Sequence, residues 1–428
     1  MANNWPVTAL GDVLEIKYGK DHKKLSDGAI PCYGSGGVMR YVSEHLYDDE
    51  SILIPRKGSL NNIFYVNEPF WTVDTLFWSK INKDLADPKF IYYQLKLIDF
   101  NRLNEGSAVP SMTVPILNNI KIKLPSIKIQ KEVSKMLTDF DRKIELNRQT
   151  NQTLEHMAQA LFKSWFVDFD PVIDNALAAG NDIPEALQHK AEQRRQAQQL
   201  PDFKPLPDDI RALFPSEFEQ TDEPTIGISG WIPKGWKVKT IGSMNKINPE
   251  SWTKKNAPES VKYVDLANAK NGTILDTVDY TFEEAPSRAR RVLRQHDIII
   301  GLVRPANRSF AYVNENGLTG STGFAVVRAL HESYRAFTYL SLTNDDSITE
   351  FARIADGAAY PAIKPEDVTN AICIYSCDEI LKRFEDLAGK FLLKKAANEK
   401  QLPPLTEIRD TLLPKLISGE LEVTSNDT

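Results

Sequence analysis

Two loops in this sequence carry side chains able to read a nucleic acid. Pro55-Arg56-Lys57-Gly58-Ser59-Leu60-Asn61-Asn62 and Val303-Arg304-Pro305-Ala306-Asn307-Arg308-Ser309 each follow a β-branched, apolar run. Arginine can pair with guanine O6 and N7, and asparagine can do the same for adenine; lysine and serine hold phosphates. Basic, polar loops at corresponding places in two domains suit a reader of two half-sites. A third basic feature, Ser287-Arg288-Ala289-Arg290-Arg291-Val292-Leu293-Arg294, is a phosphate-patch candidate. Loops at Gly106–Thr113 and Gly357–Lys364 could approach a backbone, because glycine removes the side-chain barrier.

Other chemistries lack their residues. No Gly-x4-Gly-Lys-Ser/Thr phosphate loop occurs, and Tyr33-Gly34-Ser35-Gly36-Gly37 reads as a turn. Asn248-Pro249-Glu250 lacks the second proline and the aromatic that would hold a flipped base for methylation. Cys373-x3-Cys377 has no third thiolate or imidazole nearby to complete a zinc set. Asp12-x2-Glu15-Ile16-Lys17 imitates a nuclease triad, but its carboxylates are too close in sequence and the second copy has no counterpart. By elimination the chain reads as a binding protein without catalytic, metal or cofactor residues of its own. The rival reading is a stand-alone DNA methyltransferase or nuclease.

The elements that must position these loops come in two copies. Trp5-x4-Leu10-Gly11 recurs as Trp236-x4-Ile241-Gly242, and Tyr65-Val66-Asn67-Glu68 recurs as Tyr312-Val313-Asn314-Glu315. Gly106-Ser107-Ala108-Val109-Pro110 matches Gly357-Ala358-Ala359-Tyr360-Pro361, and that spacing continues through the following helix. Two copies in one chain imitate a homodimer with approximate two-fold symmetry. Strands are expected at Ser51–Pro55, Asn62–Val66, Leu76–Ile81, Asp297–Val303, Phe310–Val313 and Phe324–Val327, and helices at Pro88–Leu97 and His331–Leu342.

Each globular part ends in a heptad-like helix. Leu137, Phe140, Ile144, Asn147, Leu154 and Leu161 mark the seam of the first, and Phe391, Asn398, Leu405 and Leu412 that of the second. A two-fold axis would make the helices antiparallel, with Asn147 and Asn398 as polar seam residues that fix register. Pro403-Pro404 should break or restart the second helix. The fold class is therefore α+β: two pseudo-symmetric α/β domains separated by two long helices in an antiparallel coiled coil.

The 428 residues carry a net charge of −6, yet both globular parts are nearly neutral. The acidic surplus lies in residues 171–235, a Pro/Gln-rich connector with a short helix expected from Pro184 toward Gln199, and in 377–428. No apolar run is long enough to span a bilayer, so no membrane partner is expected. Three cysteines and no export signal point to the cytoplasm.

At this point the chain resembles the specificity (S) subunit of type I restriction-modification systems. The resemblance rests on the repeat and on motifs in order: Ile30-Pro31-x-Tyr33-Gly34, Ile52–Lys57, Leu161-Phe162-Lys163-Ser164-Trp165-Phe166-Val167-Asp168-Phe169, Trp231-Ile232-Pro233-Lys234-Gly235-Trp236, Val303-Arg304-Pro305 and Arg409–Glu420. It departs at the entry to the second spacer, Tyr375-Ser376-Cys377-Asp378-Glu379. The resemblance implies target-recognition domains at 1–125 and 236–376, helical spacers at 126–170 and 377–423, the connector at 171–235 and a tail at 424–428. It further implies a bipartite double-stranded DNA target, two methyltransferase (M) subunits and two restriction (R) subunits. S-adenosylmethionine, ATP and Mg²⁺ would belong to those partners. DNA contacts are then expected from Tyr33, Ser35, Arg56, Lys57, Ser59, Asn61 and Ser107 in the first domain. In the second they are expected from Arg288, Arg290, Arg291, Arg304, Asn307, Arg308 and Tyr360. Trp165, Phe166, Phe169, Leu413 and Leu416 are the expected M-docking residues.

Overall fold

The computed structural model describes residues 5–104 and 110–422. The chain divides into two compact units, residues 1–147 with 400–428, and residues 148–399. Among the described residues no helix is long and apolar enough to cross a membrane.

In the first unit, an antiparallel four-stranded sheet runs in the order Leu14–Tyr18, Leu76–Ile81, Ser51–Pro55, Phe64–Val66. Ser51–Pro55 is buried at every position, which explains its unbroken apolar run. A smaller sheet orders Gly37–Val42, Asp27–Gly34 and Trp71–Thr72, the last two parallel. Val7–Ala9 pairs with Lys121–Lys123. Helix Pro88–Lys96 starts where Asp87 accepts a hydrogen bond from Phe90 N at 2.9 Å, with Pro88 in the first turn.

The second unit repeats this plan. Its four-stranded sheet runs Asn245–Ile247, Phe324–Ala329, Ile298–Gly301, Phe310–Tyr312. Lys237–Thr240 pairs with Ile372–Tyr375, and Ser260–Val264 runs parallel to Leu318–Ser321. Within residues 236–376 three strands are extra: Ala269–Lys270 pairs with Thr273–Ile274, and Ala289–Leu293 extends the smaller sheet beyond Leu318–Ser321. They account for residues by which the second copy is longer, and the last of them turns the arginine-rich stretch into a strand.

Helix Ile127–Phe162 has 36 residues, about 54 Å at about 1.5 Å per residue. It begins ten residues before the expected seam. The opposing helix has two pieces, Lys390–Glu399 and Leu402–Ser418. Pro403 and Pro404 fall in the first turn of the second piece, where a missing N–H costs nothing, so they restart the helix. In the first unit Asp141 pairs with Arg409 at 2.8 Å and Asn147 with Gln401 at 3.5 Å. In the second, Asn151 pairs with Asn398 and Glu155 with Lys395, each at 3.0 Å. Within each unit one partner's number falls as the other's rises, so the helices are antiparallel. Leu137, Ile144, Asn147 and Asn398 are buried at the seam, while Phe140, Leu154, Leu161, Phe391, Leu405 and Leu412 are half-buried. Beyond Asn151 the most buried face passes through Glu155, Ala158 and Phe162 rather than Leu154 and Leu161. A straight 3.6-residue helix drifts off a 3.5-residue repeat in this way.

The connector is folded within the second unit. Helices Asp170–Ala179 and Gln188–Gln198 pack through Ile173, Leu187 and Ala191, and Arg194 Nε bonds Asp174 at 2.9 Å.

Candidate nucleic-acid interface

The two basic loops are held by the same backbone lattice. In the first unit Met112 N donates to Arg56 O at 2.9 Å and Gly58 N to Pro110 O at 3.1 Å. In the second, Ile363 N donates to Leu302 O at 2.9 Å and Arg304 N to Pro361 O at 2.7 Å. Bridges Lys57–Ser111 and Val303–Ala362 complete the match. Arg304 therefore stands where the first unit has Gly58, and both are left-handed, with φ of 49° and 86°. Arg56 corresponds to Leu302, which is buried. The loops are equivalent, but their arginines are two positions apart.

A left-handed conformation costs an L-residue about 1–2 kcal/mol. The second unit accepts that cost at Arg304. The guanidinium lies 4.7 Å from the ring centre of Tyr360, which is 69% exposed, and Nη2 donates to Ala359 O at 2.9 Å. Stacking and that single bond orient the fork and leave other N–H groups for a ligand. Asn307 is exposed in the same turn, Pro305–Asn307. Arg308, also left-handed, pairs with Asp345 at 2.7 Å.

In the first unit Arg56 is half-buried, its Nη1 bonded to Asp74 O at 3.1 Å and its guanidinium 5.6 Å over Tyr18. Lys57 and Ser59 are exposed beside it. Asn62 Nδ2 bonds Ser35 O at 2.7 Å, which joins the Tyr33–Gly37 turn to the basic loop. Tyr33 packs on Phe64, and burial raises its phenol pKa.

Several expected contacts have other work. Asn61 is a structural brace: its Oδ1 accepts from Phe100 N at 2.7 Å and its Nδ2 donates to Asp99 at 3.0 Å. Ser107 lies outside the described residues. The arginine cluster is split by its strand. Arg288 pairs with Asp265 at 2.6 Å and Arg294 with Glu250 at 2.7 Å, whereas Arg290 stacks on Phe282 and half-buried Arg291 reaches Ser251. Arg294 and Arg328 together hold the Glu250 carboxyl down at about 2.

The expected docking aromatics are core. Trp165, Phe166 and Phe169 are buried against Phe214, Trp236, Phe337 and Phe384 of the same unit. A π-helical turn, Lys163–Val167, and left-handed Phe169 bend the chain so that all three face inward. Leu413 and Leu416 are buried in the first unit's core. None of the five offers an exposed docking surface in this fold.

One further basic segment lies outside these loops. Lys17-Tyr18-Gly19-Lys20-Asp21-His22-Lys23-Lys24 holds four lysines in eight residues, a density visible in sequence. Lys20, Lys23 and Lys24 are exposed, and among the described residues no carboxylate is within ion-pair distance of them or of Lys57.

Residues 2–156 match the family described as the type I restriction modification DNA specificity domain. The chain is 26% identical over 402 residues to the type I restriction enzyme MjaIX specificity subunit of Methanocaldococcus jannaschii, covering 90% of this chain and 81% of that one. It is 26% identical over 371 residues to the HindI specificity subunit of Haemophilus influenzae, covering 79% of each. The fold is shared with the type I restriction-modification S subunit from M. genitalium, at a TM-score of 0.59 and 15% identity over 96% of both chains. The chain is thus similar along most of its length to type I restriction enzyme specificity subunits, and its residues 2–156 match their DNA specificity domain.

Proposed function

We propose that this chain selects the DNA target of a type I restriction-modification complex. The domain around residues 1–125 reads one half of a bipartite site, the domain around 236–376 reads the other, and the paired helices act as the spacer. Methyltransferase and restriction partners carry the chemistry: adenine methylation with S-adenosylmethionine, and ATP- and Mg²⁺-dependent cleavage. The observation that carries the reading is the equivalence of the Gly58 and Arg304 loops, one lattice presenting different side chains. A duplicated scaffold with divergent tips is what two different half-sites require, since base contacts specify while backbone contacts position.

Because Trp165, Phe166 and Phe169 are committed to the core, we place the partner surface elsewhere. Adenine-methylation mapping in a host that expresses the chain with its methyltransferase partner tests the proposal. A split motif with a fixed gap supports it, and methylation without sequence preference removes it.

A further inference from the structure

Edge strands of natural sheets are ordinarily guarded by charge or proline. Gly37–Val42 is an edge strand of the first unit's smaller sheet; its one charge, Arg40, is paired with Asp27 at 2.6 Å, and its Val38, Met39 and Tyr41 are 47%, 58% and 55% exposed. The strand is also bulged: Cys32 faces Arg40 and Tyr33 faces Val38, which leaves Met39 as the unpaired extra residue. Bulges re-aim side chains, often beside functional sites. Met39 crosses over Gly34, where a Cβ would collide with its sulfur. Glycine at 34 thus lets the methionine side chain lie across the hairpin tip.

The surroundings identify what the apolar tip would meet. Met39 shares a depression with Lys23, Ser35 and Thr75, whose acidic members are Asp21 and Asp74. Thr75 O accepts from Arg56 N at 2.8 Å and Lys57 N at 3.3 Å, so the basic loop borders the same depression. An exposed apolar knob beside Lys23 and the Arg56–Lys57 loop fits a polyanion with an apolar interior. Duplex DNA is such a molecule once a base step opens. The second unit lacks the device. Its corresponding edge strand, Val278–Thr281, pairs without a bulge and carries Asp279.

We infer that Met39, supported by Tyr41, is a wedge that unstacks a base step within the half-site read by the first unit. That half is then selected partly by its deformability. The inference rests on the DNA-recognition reading above and adds to it a position-specific distortion in one half only.

The test uses the full chain with its methyltransferase partner and a duplex carrying the mapped target, with 2-aminopurine placed at successive positions. In wild type, apart from the adenines that the methyltransferase partner itself flips in each half, fluorescence should rise several-fold at one step of the half-site that Arg56→Ala relaxes, and at no step of the other half. Met39→Ala with Tyr41→Ala should abolish the rise and weaken specific binding about tenfold, without altering its salt dependence. Met39→Leu should behave as wild type and Met39→Gln as the double variant. The wedge is overturned if wild type brightens no step beyond the flipped adenines, or if the double variant keeps both that brightening and affinity. Wild type that bound target and scrambled duplexes equally would bring down the recognition reading and the wedge together.

Discussion

Arg304 is the residue on which the readout proposed for the second unit turns. It occupies a glycine-type conformation, so removing its side chain should separate stability from specificity. Arg304→Gly should leave the unfolding midpoint unchanged or raise stability by up to about 1 kcal/mol. It should also weaken specific binding by about 1–3 kcal/mol and relax one half-site. Denaturant unfolding alongside competition binding checks both parts. Lys57→Ala, by contrast, should weaken binding to all sequences and lower the salt slope by about one. The basic loops and the residue types in them were legible in the sequence. The equivalence of Arg304 with Gly58 was not, because it is set by hydrogen bonds to Pro110 and Pro361. The bracing role of Asn61 is hidden for a related reason: its partners, Asp99 and Phe100, lie far along the chain.

The helix pair shows how the elements are locked. Lys395, almost fully buried, bonds Glu155 and Gly272 O at 3.0 Å each and lies 3.7 Å from Glu399. Thr273 Oγ1 donates to Glu399 at 2.6 Å. Lys395→Met would strand buried carboxylates and should cost about 3 kcal/mol at neutral pH. Burial raises the Glu399 carboxyl above its ordinary 4.5. A proton held more tightly in the folded than in the unfolded state adds stability as pH falls. The variant should therefore recover part of its loss between neutral pH and the ordinary carboxyl range, where the gain levels off. Unfolding curves at pH 7 and pH 5 test this. Trp165→Ala should cost about 3–5 kcal/mol, the signature of a core residue. The heptads announce the helix pairing, the two-fold symmetry of the repeat its antiparallel sense, and the prolines the break. The rotation of the seam onto Glu155 was hidden, because heptad counting selects apolar residues and cannot anticipate a buried ion pair.

At the scale of the molecule, the repeat was readable from matched motifs, and the same strand order recurs in both units. Net charge was a poor guide to the partner. The acidic surplus of the connector masks lysines in the first unit that have no acidic partner within ion-pair distance among the described residues. The connector's folded state was only partly visible, since helix Asp170–Ala179 starts from left-handed Phe169 and leans on tertiary contacts through Ile173. The central claim is that two copies of one scaffold read two different DNA words. It is tested most directly by mapping methylated adenines at nucleotide resolution with wild-type and Arg304→Gly chains, each expressed with the methyltransferase partner. The account predicts a split motif in wild type and degeneracy confined to one of its halves in the variant. An unbroken wild-type motif, or loss of preference in both halves together, would contradict it.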